Sequence, residues 1–186
     1  MKYISIGTVV EEGTEYILHV CRGGNSFRLT GELAALWLNG RLGFASAVKP
    51  TERQKLEYLV KMGLAIKADG SAAEEYRTLT QCTMVPTDRK LPYWGLNNRE
   101  KTVLRWLRGS CLTLSMAELT YLMDRNINPQ ECLLGVGNTQ ALVETIYTRE
   151  TIGDNILEAQ MERATVRDRT VKVILALLKK KRIVLL

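Results

Sequence analysis

The stretch Thr51–Ile66, TERQKLEYLVKMGLAI, decides how the chain is read. Thr51 followed by Gln54 fits a capping box, in which two side chains satisfy the free backbone N–H groups of a helix start. Pro50, just ahead, has a fixed backbone and favours a boundary there. Leu56, Leu59 and Val60 recur at i, i+3 and i+4 and so share one helical face. Gly63 suits the left-handed conformation that ends many helices, and Leu64, Ala65 and Ile66 then continue as a short apolar strand. Asp69-Gly70 is a strong turn pair, after which Tyr76–Val85 is predicted to return as a second strand.

Composition sets the bounds. The 186 residues permit one domain or two small ones, and 46% hydrophobic with 25% charged residues is ordinary for a globular chain. The formal net charge is +6, divided unevenly: residues 1–92 hold 12 basic against 10 acidic side chains, and residues 93–186 hold 14 against 10. Such an excess suits a polyanionic partner and says nothing about fold. Cys21, Cys82, Cys111 and Cys132 form no CxxC pair, and His19 is the sole histidine, so no zinc site is predicted. The thiols are expected to be reduced and mostly buried in a cytoplasmic protein. His19, inside an apolar run without a nearby acid–base partner, reads as structural. MKYISIGTVVEEG is too short and too soon acidic for a signal peptide. The longest apolar run, Val173–Leu178, falls far short of the roughly 20 residues a membrane helix needs. No nucleophile motif, phosphate loop or carboxylate pair stands out. Gly135-Val136-Gly137 lacks both a third glycine and a preceding strand. Neither catalysis nor a cofactor is expected.

The pattern LxxLVKMGLAI resembles the third helix and first wing strand of the winged helix-turn-helix superfamily. The resemblance covers residues 27–86 and, more loosely, 99–186. Lys2–Val10 and Glu15–Cys21 read as an opening hairpin around Gly13 and Thr14, with Phe27–Leu29 as a third short strand. Thr30 caps a helix Gly31–Asn39 that Gly40 stops, and Leu42–Val48 is a clipped second helix. Leu36–Gly40 is echoed by Arg105–Gly109 through a shared WLxG. Arg99–Arg108, a Ser115–Glu118 capping box opening a helix to Asp124, Thr139–Tyr147, Asn155–Arg163 and Val166–Lys181 are further helices, and Cys111–Leu114 is a short strand. Ile183–Leu186 is a closing strand, expected to pair within the fold or across a dimer. The expected architecture is α+β and mainly helical: tandem winged-helix-like units with an N-terminal β-hairpin. Residues 1–86 form the first unit, 87–98 a linker and 99–186 an incomplete second one. Trp94, inside the linker, is expected to dock on the surface, with ligand stacking as the alternative.

The resemblance implies a DNA-binding protein, a transcription regulator or accessory factor, with double-stranded DNA as partner. The same superfamily hosts protein-interaction adaptors, so a protein partner is the alternative, and a homodimer through the C-terminal strand is a further expectation. Candidate nucleic-acid contacts are Arg53, Lys55 and Lys61 on the first recognition-like helix, and Arg167, Arg169, Lys172, Lys179 and Lys180 on the last. Arg53, Glu57 and Lys61 alternate in sign every four residues, which equally suits a solvated, ion-paired face.

Overall fold

A computed structural model describes residues 1–12, 17–87, 92–110, 114–134, 139–148, 151–152, 159 and 162–186. In chain order its elements are β1 (Lys2–Ser5), β2 (Thr8–Glu12), β3 (Ile17–Arg22), β4 (Asn25–Thr30), α1 (Gly31–Arg41), β5 (Ala45–Ser46), α2 (Pro50–Lys61), β6 (Ala65–Ala68), α3 (Ala72–Thr80) and β7 (Met84–Pro86), followed by α4 (Asn98–Gly109), α5 (Met116–Asp124), a 3-10 turn (Glu131–Leu133), α6 (Thr139–Ile146), α7 (Ala164–Lys179) and β8 (Ile183–Leu185). Three small antiparallel sheets result, ordered β5–β1–β6, β2–β3–β4 and β7–β8. The chain is thus α+β, as its patterning predicts. The turn expected at Gly13 and Thr14, the Cys111–Leu114 strand, Gly135–Gly137 and the Asn155–Arg163 helix lie largely or wholly outside the described residues.

The opening run YISI has no charged residue, and Tyr3, Ile4 and Ile6 are wholly buried. Side chains alternate across a strand, so one strand can serve two cores. Tyr3 packs with Trp37, Leu56, Leu59 and Leu64. Ile4 and Ile6 pack with Tyr76, Leu104, Trp106, Ile174 and Leu177. Helix α1 is fastened to this segment by two bonds: the Tyr3 hydroxyl donates to the Leu36 carbonyl at 2.6 Å, and Trp37 Nε1 donates to the Ile6 carbonyl at 3.2 Å. Gly40 does not stop α1 but lies inside it, where a Cβ would collide with Tyr3 and Ser5. Its smallness lets helix and strand approach closely, and the helix ends at Arg41 instead.

Helix α2 starts two residues earlier than the Thr51–Gln54 box implies. Lys49 is its N-cap and Pro50 its first residue, a position where the missing N–H costs nothing. Glu52 does the capping, accepting from the Val48 and Lys49 backbone N–H groups at 2.9 and 3.1 Å. Thr30 does sit at the N-cap of α1, but its side chain makes no capping bond. Leu42–Val48 forms no helix, because Ala45 pairs with Tyr3 and draws that stretch into the sheet as β5.

The wing is also absent at the expected place. Gly70 turns the chain with φ +94°, but Ser71 then caps α3, accepting from Glu74 N–H at 3.1 Å. Tyr76 and Leu79, three apart, both reach the core from a helix, whereas a strand would send one of them to solvent. Strand β6 pairs with β1 in place of a wing partner, with Ile66 opposite Ile4.

A narrower repeat is present. Gly63 N–H bonds Val60 O at 2.9 Å and Leu64 N–H bonds Leu59 O at 2.8 Å, closing α2 with Gly63 at φ +71°. Lys181 N–H bonds Leu178 O and Arg182 N–H bonds Leu177 O, both at 2.9 Å, closing α7 with Lys181 at φ +53°. Each helix then runs into a strand paired antiparallel with an earlier one, β6 with β1 and β8 with β7. The last strand pairs within the chain on both sides. Val184 lies opposite Val85, and Gly7 N–H donates to Leu185 O at 2.7 Å. The expectation that this strand pairs within the fold is thus met on its β7 edge, with a single further bond on the other. Of the described cysteines only Cys82 is buried, with Cys21 intermediate and Cys132 exposed, so the thiols are less sheltered than expected. Trp94 is not docked but 84% exposed.

Truncation of Ile4 to alanine is expected to cost about 2–5 kcal/mol. Urea unfolding followed by tryptophan emission checks this, and should show one transition, because Trp37 and Trp106 lie in the two cores that Ile4's strand joins. Alkaline stability gives a second check. Burial, and then the charge of Glu52, push the Tyr3 hydroxyl up to about 12. An unfolded tyrosine ionises near 10, so this contribution is intact below pH 10 and is lost as pH rises towards 12. Denaturant midpoints of wild type and Tyr3→Phe between pH 8 and 11.5 should converge as pH rises.

Candidate nucleic-acid interface

The cations singled out in the sequence do not form one surface. On α2, Arg53 and Lys61 are exposed, but Lys55 pairs with Glu32 of α1 and Glu57 pairs with Lys67 at 2.5 Å. The carboxylates thus reach neighbouring elements instead of forming an intrahelical ladder. The adjoining cleft mixes signs, with Glu32 and Glu52 beside Lys49 and Lys55. The two backbone bonds from Lys49 and Val48 hold the Glu52 carboxyl below the usual carboxylate range, keeping that side anionic.

Helix α7 divides its cations by role. Its broad apolar arc, Val166, Val171, Val173, Ile174, Leu177 and Leu178, is core. Arg167 sits close against the protein with its side chain 12% exposed, bonded to Asp168 at 2.9 Å. Lys180 reaches back to α4, where its Nζ donates to both Glu100 oxygens, at 2.7 and 2.9 Å, and to the Gly95 carbonyl at 2.7 Å. Glu100 is buried and also accepts from Asn97 N–H at 2.8 Å, so Lys180 serves the fold. Lys179 lines a separate cleft with Lys2, Phe44 and Glu75. Arg169 and Lys172, three apart on the exposed face, form no ion pair among the described residues.

Arg169 opens onto a cleft of about 180 Å³ between the start of α4 and the end of α5. Its floor is Leu122, Met123 and Ile127, and its rim carries Asn98, Arg99, Thr102, Asn126 and Asn128. Each rim group is placed by local chemistry. Asn97 caps α4, accepting from Glu100 N–H at 2.9 Å, which sets Asn98 and Arg99 on its first turn. Asn126 ends α5 at φ +52°, a conformation asparagine tolerates, and Ile127 N–H closes the turn on Leu122 O at 2.9 Å. Arg105 Nη2 donates to the Pro129 carbonyl at 3.2 Å and holds this turn against α4. The rim therefore offers two guanidinium groups and three amides, and no carboxylate lines it. This set can grip a phosphodiester through charge-assisted and neutral hydrogen bonds.

Of the expected contacts only Arg169 lines this cleft, with Lys172 beside it on the helix. Arg99 and the three asparagines were missed. Asn97-Asn98-Arg99 ahead of an apolar helix and Asn126-Ile127-Asn128 after one were the available signals, and both look like ordinary caps and turns in sequence. Among the described residues no cluster of three or more His, Cys, Asp or Glu could hold a metal, and no helix is long and apolar enough to cross a membrane. Comparison with protein-family models, curated proteins and solved structures finds no match.

Replacing Lys180 with methionine strands the buried Glu100 carboxylate, with the Asn97 N–H as its remaining partner among the described residues. A loss of about 2 kcal/mol in chemical denaturation is expected. Lys179→Met, on the exposed helix face, should stay within about 0.5 kcal/mol of wild type.

Proposed function

We propose that the chain is a DNA-binding protein without catalytic activity, an accessory or regulatory factor that grips the phosphate backbone at the α4–α5–α7 cleft. One observation carries this reading. Of the three clefts described above, this one alone is lined by cations and amides with no carboxylate among them. Arg99 and Arg169 supply the charge, the asparagines supply neutral hydrogen bonds, and Lys172 extends the cationic face along α7. The reading does not use a wing or a recognition helix. Contacts of this kind set position and affinity and read little sequence.

A second reading, a protein-interaction adaptor, is favoured by the α1–α2 side. Leu38 of α1, Tyr58 of α2 and Val48 just ahead of α2 are exposed, and Lys55 and Glu57 of α2 are taken by ion pairs. Such a surface suits a protein better than a polyanion.

The two readings separate in a titration of a labelled duplex followed by anisotropy. With about three phosphate contacts, log K should fall against log salt with a slope near −2.7. Arg99→Ala and Arg169→Ala should each flatten that slope by about 0.9, whereas Arg53→Ala should leave it unchanged. Absence of binding at 50 mM salt would refute the DNA reading.

A further inference from the structure

Trp94 is the most exposed large apolar side chain among the described residues, at 84%. Its backbone, in contrast, is tightly held. Arg182 Nη2 donates to the Trp94 carbonyl at 3.3 Å, and Lys180 Nζ donates to the Gly95 carbonyl at 2.7 Å. Leu96 N–H bonds the Tyr93 carbonyl at 3.3 Å, Leu96 itself is buried, and the Tyr93 ring packs 4.9 Å from the Arg108 guanidinium. Gly95, at φ +71°, allows the tight bend. The loop is thus a fixed mount that carries an indole into solvent.

What surrounds the indole selects its occupant. Arg182 is bonded to the tryptophan's own carbonyl and Lys181 follows α7 at φ +53°, and neither forms an ion pair among the described residues. A protein hot spot or a membrane-seeking tryptophan needs an apolar surround. Here the apolar neighbours are already engaged, Leu96 in the core and the Tyr93 ring by Arg108, while Arg182 and Lys180 reach the carbonyls of Trp94 and Gly95. A flat aromatic face beside a cation that forms no ion pair among the described residues, here Arg182, is the combination that holds a base and its phosphate together. Trp94 also stands four residues before Asn98 of the cleft, a chain reach of at most about 14 Å.

We infer that Trp94 is a stacking platform for an unpaired nucleobase, with Arg182 taking the adjoining phosphate, so that the protein prefers nucleic acid with a single-stranded segment. The inference rests on the DNA-binding reading and adds a substrate class to it.

The indole itself reports the contact, because Trp37 and Trp106 are buried and Trp94 alone of the three is exposed. Oligothymidylate of 12 nucleotides and a blunt duplex of equal length are titrated into wild type, Trp94→Phe and Trp94→Ala, reading intrinsic emission and ligand anisotropy. The single strand should quench wild-type emission. Trp94→Ala should bind it between about 5- and 150-fold more weakly, with Trp94→Phe between the two and duplex affinity unchanged. Single-strand binding with no indole quenching, or equal single-strand affinity in Trp94→Ala and wild type, overturns this inference and leaves the DNA reading standing. No binding of either nucleic acid overturns both. An emission change with phosphatidylserine vesicles but not with oligothymidylate would assign Trp94 to a membrane surface and overturn it as well.

Discussion

A single strand, Lys2–Ser5, is buried on both faces, and the rest of the architecture follows from that constraint. Tyr3 feeds one core while Ile4, and Ile6 just beyond the strand, feed the other. Neither core is closed without the strand, since β5 and β6 hydrogen-bond to its two edges. The next two residues extend the arrangement. Ile6 N–H bonds the Leu64 carbonyl just ahead of β6, and Gly7 N–H bonds the Leu185 carbonyl of β8. One dipeptide therefore holds both helix-to-strand returns. Gly7 sits at φ +112°, and a Cβ there would press on Val20 and the Cys21 carbonyl, so a side chain is excluded by strain and by space.

Short-range features were legible in the sequence, and long-range pairing was not. The α5 capping box, the extents of α4 and α6, and the end of α2 at Gly63 follow from periodicity and cap chemistry, which act over a few residues. Partner choice acts across the chain. Leu64–Ala68 reads as a strand, but nothing local says that it pairs with residues 2–5 and not with 76–85. The strand expected at Tyr76–Val85 survives only at its end, in β7, because a Ser71–Glu74 cap and Tyr76 and Leu79 at helical spacing make α3 of the rest. Gly40 misled for a related reason: a glycine after a leucine-rich helix is usually a stop, and its alternative use, close approach to another strand, is invisible without that strand. The WLxG echo marks a packing device. Trp37 and Trp106 are both fully buried, and Gly109, like Gly40, has neighbouring side-chain atoms where a Cβ would stand, in this case those of Leu134.

Cations showed the same limit. A count of Arg and Lys on α7 cannot separate Lys180, committed to a buried carboxylate eighty residues upstream, from Arg169, three turns earlier and unpaired among the described residues. A cation whose charge is already met contributes little to a phosphate contact, because the gain must be set against the pair it gives up. The useful charge is what remains after the fold has taken its share. It gathers where α4, α5 and α7 meet because Asn97 and Asn126 terminate their helices there, leaving polar rims around an apolar floor.

The mount beneath Trp94 follows from the same commitment of Lys180. Ordering a loop costs about 1–2 kcal/mol of backbone entropy per residue, so a four-residue bend around an exposed indole needs compensation that the indole does not provide. It comes from Leu96 entering the core and from two cations donating to successive carbonyls, one of which, Lys180, is already fixed in place by Glu100. The fold therefore orders this loop's backbone for reasons unrelated to the indole. A rigid aromatic face loses little entropy when a base stacks on it, which is the condition under which stacking yields net affinity. Had the ring merely been left over from folding, a collapsed position against Leu96 or Tyr93 would bury its apolar surface at about 25 cal/mol per Å². Trp94 forgoes this burial while Leu96 takes it, which is the arrangement the proposed stacking role requires.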